Sequence, residues 1–562
     1  MHLQRWYAFG ILANIIPAIR AASFSEAQAA LDKLRIPNSD DVRGYLTLPS
    51  AIEDSPACHI EWKSSDPEII SDAPKGKIGA GVVNRPPPGS EPAKVILTAC
   101  VNSGHDKACR EFNVTVRPAV KLAERSRYGM SNFARSNSQA GQQIYMAYSV
   151  GNDATNWVAI NNGKAVLKSV HGMHGVRDPS ITRSPEGDMF YLIATDLNVD
   201  GVDYGWLDWD WAQSNASRYI EVWESRDLRT WSEQRHVLVS PSTVGMTYAP
   251  ESIWDPEIGA YVVYWTSSLY PEGTYYTTNE TDPNRRYPLT RNQAMYTTTR
   301  DFQTFTPAKV MTDRPDHGTL DSVIIKDEEN GYYHRLVCDR ISTGNATQYV
   351  PCGGEDIYQE RAKSILAEED EWELVKGCIT HDLMNTTYAE GALIVKANPG
   401  DPRGDGWYMY ADQKWEGSPA GGPLEEQYHP YWTDDLESGH WKPIDWVQKP
   451  DYDLAEGVIR HGNIISLTTA EHAAWRGADL TSIRIKSEPI KTKYSIGESL
   501  DVTGLSLEAT YTDGIVDELF EGYGGYSISC FDSETPGEKT IEISYTVVNL
   551  TKTATFSVFV QN

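Results

Sequence analysis

Positive charge is in short supply in this sequence. Lys and Arg number 50 against 78 Asp and Glu, a formal net charge of −28 over 562 residues. A surface of that sign repels polyphosphates and anionic bilayers, which excludes nucleic acid as a partner and argues against a membrane surface. Long apolar runs are also missing, with one exception. Met1-His-Leu-Gln-Arg precedes an apolar stretch from Trp6 to Ile19, followed by Ala21, Ala22 and Ser23. Those three regions are those of a secretory signal peptide, so residues 1–22 are expected to be removed and the rest to be secreted. The seven cysteines (58, 100, 109, 338, 352, 378 and 530) include no CxxC pairs, which excludes a zinc module of usual spacing. Phenylalanine is scarce too: 11 against 17 Trp and 31 Tyr, so most rings carry a polar tip.

Secretion allows disulfides, and Cys100 and Cys109 flank a polar turn between two strand-like runs, which predicts a cross-hairpin bridge. An odd count leaves at least one thiol outside any internal pair. Six Asn-x-Ser/Thr sequons, at Asn113, Asn215, Asn279, Asn345, Asn385 and Asn549, permit N-glycosylation in a eukaryotic host, although chance alone supplies several.

The chain divides into three parts after the leader. Residues 23–118 alternate short strand-like runs such as His59-Ile-Glu-Trp, Val95-Ile-Leu-Thr-Ala-Cys and Phe112-Asn-Val-Thr-Val with Pro- and Gly-bearing loops. Residues 480–562 do the same, ending in Ala554-Thr-Phe-Ser-Val-Phe-Val. Both resemble the immunoglobulin-like β-sandwiches found beside secreted carbohydrate-active enzymes, and both read as accessory.

Residues 123–478 contain a repeat. Five passages pair an aromatic strand with a later polar turn and a further aromatic; short polar-headed segments precede all but the first, and one more follows the last: Asp178-Pro-Ser-Ile, Glu251-Ser-Ile, Asp321-Ser-Val, Glu390-Gly-Ala and His461-Gly-Asn. Successive heads lie 73, 70, 69 and 71 residues apart. Five such units of four strands predict an all-β, five-bladed propeller whose last head completes the first blade. Closing the ring in this way removes exposed sheet edges.

In a propeller the inner strand of each blade borders the central channel, so the heads converge at one mouth. A single Asp or Glu at a strand entry is more often a turn or cap. Four carboxylates and a histidine brought together are different, because like charges oppose one another's ionisation and a fold does not retain them without use. Carboxylates converging without a metal-ligand cluster suit glycoside hydrolysis, in which one acid protonates the leaving oxygen and one carboxylate activates water or attacks the sugar. Trp206, Trp209 and Trp211 in the loop Gly205-Trp-Leu-Asp-Trp-Asp-Trp offer stacking surfaces for sugar, with loop packing an equal alternative.

At this point the residues resemble glycoside hydrolase family 43. The matching pieces are Val176-Arg-Asp-Pro-Ser-Ile, Phe190-Tyr-Leu-Ile-Ala-Thr-Asp-Leu, Val222-Trp-Glu-Ser-Arg-Asp-Leu-Arg-Thr-Trp, Tyr248-Ala-Pro-Glu-Ser, Leu320-Asp-Ser, Glu390-Gly-Ala and Arg460-His-Gly. The resemblance implies an inverting enzyme that needs no cofactor, with Asp178 as general base, Glu390 as general acid and Asp321 tuning and orienting that acid. Substrate contacts are expected from Glu251, Trp209, Trp211, Tyr248, Arg177 and His461, and the resemblance implies that the last binds a water or a structural calcium ion in the channel. Negative charge on Asp321 and Asp178 would favour the protonated form of Glu390. An inverting pair leaves room for water, so Asp178 and Glu390 are expected roughly 6.5 to 9.5 Å apart.

Three departures from the family pattern bear on specificity: Tyr248 where Trp is common before Ala-Pro, Ala392 where Pro is common after Glu-Gly, and Glu251 as a fourth acid and second candidate for the acid role. The resemblance points to plant cell-wall polysaccharide, with α-L-arabinofuranosyl linkages first, then β-xylosides, then galactofuranosides or galactans. Two other classes compete: a propeller that binds glycan without cleaving it, and a structural wall protein.

Overall fold

The computed structural model describes residues 24–562 apart from 53–54, 104–105, 136–141, 200–208, 271–291, 313, 315, 341–346, 353, 416–426, 445–457 and 521–524. The leader, Trp206, Asn279 and Asn345 lie outside the described residues. Among the described residues no helix is long and apolar enough to cross a membrane. The chain forms two compact units, one ending at Pro118 and one running from Ala119 to Asn562.

The first unit is a single antiparallel sheet of Ala51–Ile52, Ser55–Ser64, Ala93–Ser103 and Asp106–Val116, where a two-sheet sandwich was expected. A helix, Phe24–Lys33, covers part of it. Its Ala27 and Leu31 bury against Ile60, Ala99, Val101 and Ala108. What would be the second sheet is reduced to isolated bridges, Val42 with Val116 and Ile70 with Val83. Cys100 faces Cys109 across the hairpin register, and the two form the expected disulfide.

The second unit begins with five four-stranded sheets whose inner strands adjoin in a ring. The inner strands are Val176–Arg183, Tyr248–Asp255, Gly318–Asp327, Thr386–Lys396 and Val458–Leu467. The last of these pairs with Arg127–Arg135, so the first and last stretches of the domain share one blade, as the sequence predicts. Each second strand is walled in by its neighbours. Phe190–Asp196 and Ala260–Ser268 are buried at every position, which is why they read as unbroken apolar and aromatic runs rather than alternating ones. Outer strands shrink to exposed pairs such as Lys309–Val310 and Lys442–Pro443, whose lysines and proline discourage edge pairing.

After the ring, the helix Thr469–Trp475 leads into two sheets, Leu480–Ser487 with Ser506–Tyr511 and Val516–Phe520, and Lys493–Ser495 with Leu550–Gln561, Gly537–Val547 and Ser527–Ile528. This sandwich is not merely appended. Ala473 and Ala474 of the helix belong to its core, while Trp475 belongs to the propeller's and donates its indole N–H to the Ala147 carbonyl at 2.7 Å. Arg476, on the next residue, is ion-paired with Asp513, and Arg127 of the closing blade with Asp517 at 2.9 Å.

Candidate active site

Each inner strand slips register at its channel end, between Arg177 and Ser180, Tyr248 and Glu251, Leu320 and Val323, Glu390 and Leu393, and Arg460 and Gly462. These bulges re-aim side chains into the channel. At four of them one residue takes a left-handed conformation: Asp178 at φ 51°, Ala249 at 48°, Asp321 at 48° and Gly391 at 61°. Asp tolerates that backbone better than most residues. Gly391 has a further reason to be glycine, because a Cβ there would meet the His461 ring at 2.9 Å.

The bulges correct the repeat register read from the sequence. The equivalent positions are Asp178, Ala249, Asp321, Gly391 and His461, not the five polar heads. Glu251 therefore stands two residues further along its strand than Asp178 does, and Glu390 one residue before the bulge. The blades are held in this register by backbone N–H groups. Ala249 donates to Thr195 Oγ1 at 2.7 Å, Asp321 to Thr266 Oγ1 at 3.1 Å and His461 to Asp412 Oδ2 at 3.1 Å. Those acceptors occupy one ladder position on the second strands of three blades, opposite Arg177, Tyr248 and Glu390. In the fourth blade that position, opposite Leu320, is Cys338, and there the Gly391 N–H goes instead to Asp321 Oδ2 at 3.0 Å.

The channel acids meet at His461. Its Nδ1 lies 3.5 Å from Asp178 Oδ1 and 3.9 Å from Asp321 Oδ2, ion-pair distances rather than hydrogen bonds. Burial opposes charge on the ring, but Asp178 and Asp321 outweigh it and push His461 up to about 9. Burial likewise opposes ionisation of Asp178, yet His461, Arg177 and the Thr195 hydroxyl at 2.8 Å hold it below its ordinary value. Asp178 is thus a carboxylate at neutral pH. Asp321 is the opposite case: burial first, and then Glu390 and Asp178, push it up to about 7. Glu251, buried and bonded to the Ser180 hydroxyl, is also pushed up to about 7, chiefly by burial.

Glu390 departs from expectation. The charges nearest it are cationic. Arg460 donates to its Oε1 at 3.0 Å and to Asp412 Oδ2 at 2.7 Å, while Arg340 stands 3.9 Å from its Oε2. Tyr388 donates its hydroxyl hydrogen to Oε2. The sequence reading assigned no role to Arg340, Arg460, Tyr388, Asp412 or Thr195. The one available signal was spacing, since Thr195, Thr266, Cys338 and Asp412 each lie near the end of an aromatic second strand at blade intervals.

The remaining predicted contacts are partly committed elsewhere. Tyr248 is buried and donates to the Ala212 carbonyl, anchoring the helix Trp209–Ser214. Trp211 of that helix packs half-buried beside Leu197, Met246 and Tyr248, the loop-packing alternative, and the Trp209 side chain lies outside the described residues. The Arg177 guanidinium lies 4.6 Å over the Phe133 ring. Asn215 is buried and bonded to Ser214, which leaves no room for a glycan. A second disulfide, Cys352–Cys378, ties the fourth blade to the helix Ile379–Met384, which leads into the Glu390 strand. Cys338, buried, and Cys530, exposed, are free.

A calcium ion takes oxygen ligands. The oxygen groups beside the His461 ring are the carboxylates of Asp178 and Asp321. The described His and carboxylate groups close enough to share an ion are Asp196, Glu221 and His236, and Asp327, His334 and Glu437, neither at the channel.

These values have a stability consequence. Glu251 and Asp321 are raised in the folded chain, so their contribution is complete below their ordinary values near 4, and is lost as pH rises through 7. That of His461 is complete below 6.5 and is lost through 9. The melting temperature is therefore expected to fall between pH 5 and pH 9. Glu251→Gln, which keeps the shape without the charge, should remove about 3 kcal/mol of that decline. An unchanged slope by calorimetry would show that Glu251 does not titrate in this range.

A five-bladed ring that gathers buried carboxylates around one histidine suits glycoside hydrolysis. Residues 124–473 match the glycoside hydrolase 43-related family described as "Probable glycosyl hydrolase domain", and the chain belongs to that family. Residues 24–119 match the "Atrophied bacterial Ig domain", and residues 487–560 the "Bacterial Ig-like domain (group 3)". An α-L-arabinofuranosidase of Bifidobacterium longum subsp. longum is 32% identical over 372 residues, 62% of this chain and 33% of the relative. This chain thus spans about a third of that relative's length. A thermostable family-43 glycoside hydrolase of known structure is 13% identical over 67% of this chain and 92% of its own, with a TM-score of 0.32. An α-L-arabinanase of Cellvibrio cellulosa is 13% identical over 67% and 95%, with a TM-score of 0.28.

Proposed function

We propose that the chain is a secreted, inverting glycoside hydrolase that releases α-L-arabinofuranosyl residues from plant cell-wall polysaccharide. The observation that carries this reading is the convergence of two carboxylates on one ring nitrogen of His461, Asp178 at 3.5 Å and Asp321 at 3.9 Å, with Asp178 favoured as the carboxylate and Asp321 pushed up to about 7, chiefly by burial. Asp178 then takes a proton from the attacking water, Glu390 gives one to the leaving oxygen, and Asp321 orients the Glu390 strand through the Gly391 N–H. The curated relative supports the choice of sugar. β-Xylosides and galactose-containing glycans are the alternatives within the fold.

The test is a screen of nitrophenyl arabinofuranoside, xyloside and galactofuranoside with linear arabinan and arabinoxylan, followed by proton NMR of the first-formed anomer. Arabinose released with inverted configuration is expected. Retention would overturn the assignment of Asp178 as base, and turnover of xyloside or galactofuranoside alone would overturn the sugar. Glycan binding without release would favour the non-catalytic propeller.

A further inference from the structure

Glu390 has two oxygens with unlike partners. Oε1 faces the Arg460 guanidinium at 3.0 Å, and a guanidinium has only donors. Oε2 receives the Tyr388 hydroxyl, which can both donate and accept. The Tyr388 oxygen is itself fixed by Arg340 Nη1 at 2.8 Å, and that same nitrogen is anchored by Glu355 Oε2 at 2.8 Å. Glu355 is tied to the Glu390 strand, because its carbonyl accepts the Ala389 N–H at 3.0 Å. The other charged and titratable groups around Glu390 are Asp321 on the inner strand of the fourth blade, Cys338 on its second strand, Asp412 on the second strand of the fifth, and His461 on the closing strand.

A proton on Oε1 would point a donor at a donor. A proton on Oε2 meets a group able to reverse its role. We propose that Tyr388, held by Arg340 and Glu355, is the positioning residue that makes Oε2 the proton-bearing oxygen of Glu390 and receives the carboxylate as it forms. The inference rests on Glu390 being the general acid and deepens that reading.

In the reaction the Oε2–H bond breaks and its proton goes to the glycosidic oxygen, which also takes the electron pair of the breaking C–O bond. Water oxygen bonds the anomeric carbon, and the proton it loses goes to Asp178. The new carboxylate charge on Oε2 is met by the Tyr388 O–H. Burial pushes the Tyr388 phenol well up, so it keeps its hydrogen throughout the working range and has it to donate once the carboxylate forms.

Tyr388→Phe removes that donor and keeps the ring. A nitrophenolate leaves with little help from an acid, whereas an alkoxide needs a proton. Wild type, Tyr388→Phe and Glu390→Gln are compared on a nitrophenyl glycoside and on the methyl glycoside of the same sugar, with pH profiles. For Tyr388→Phe, kcat on the methyl glycoside should drop roughly tenfold or more, with a smaller loss on the nitrophenyl glycoside, little change in KM, and the alkaline limb moved up by about one pH unit. Equal losses on both substrates with an unmoved limb, or no loss, would overturn the proposal. If Glu390→Gln loses activity selectively on the methyl glycoside and Tyr388→Phe does not, Tyr388 alone fails. If Glu390→Gln shows no selectivity, the acid assignment fails and takes Tyr388 with it. Should Tyr388→Phe not fold, Arg340→Gln is read by the same ratio and the same limb, with a selective loss expected and an even one overturning the proposal.

Discussion

Replacing Asp178 by asparagine should lower kcat about a thousandfold or more, and should lower the melting temperature as well because the buried His461 loses a counter-charge. Asparagine is the appropriate replacement because the residue sits at φ 51°, where Asn and Asp are tolerated and alanine is strained. The amide oxygen still accepts the Thr195 hydroxyl that now reaches Asp178 Oδ2 at 2.8 Å. What disappears is the negative charge beside His461 and the base that removes a proton from water. Glycan affinity, measured by calorimetry with a non-hydrolysed oligosaccharide, should survive. Activity within tenfold of wild type would mean that another carboxylate serves as base, and Glu251, which neighbours Asp178, would be tested next.

The second large effect concerns the helix after the ring. Trp475→Ala should destabilise the protein by about 3 to 5 kcal/mol, the usual range for a buried aromatic cut to a methyl group. The indole is 2% exposed, packs closely over Gly129 and gives its N–H to Ala147. Its neighbours Ala473 and Ala474 lie in the sandwich core, so the loss should appear in both domains together. Calorimetry should show one transition moving down. Two transitions, with only one displaced, would mean that the sandwich and the ring unfold independently.

Much of the ring could be read in the sequence, because what repeats in a propeller repeats at blade length. Even spacing of the polar heads gave the number of blades, and a headless first passage with a tailless last one gave the closure. The Cys100–Cys109 bridge was legible because both residues flank one turn. Cys352–Cys378 was not, since its partners are brought together by a helix and strand start that no local pattern marks. The site divides in the same way. Asp178, Asp321, Glu390 and His461 share the periodicity of their strands, so reasoning along the chain reached them. Arg340, Tyr388 and Asp412 act on Glu390 or on its arginine partner from second strands or from the same strand, and their roles exist only after adjacent blades meet. The one-residue offset of Glu390 from the bulge is hidden for a similar reason: a backbone in the left-handed region at Gly391 leaves no trace in the spacing of acids.

Because the closing blade takes its inner strand from the far end of the domain, synthesis on the ribosome delivers the site in a fixed order. Asp178, Asp321 and Glu390 emerge while the ring is still open, and Arg460 and His461 come last, on the strand that shuts it. Until then the acids have no shared counter-charge and no common centre. A nascent chain halted before residue 458 would hold nearly every blade and yet lack the ion pairs that set one acid apart from the others, so catalytic competence would arrive in a single step with the final strand rather than by increments.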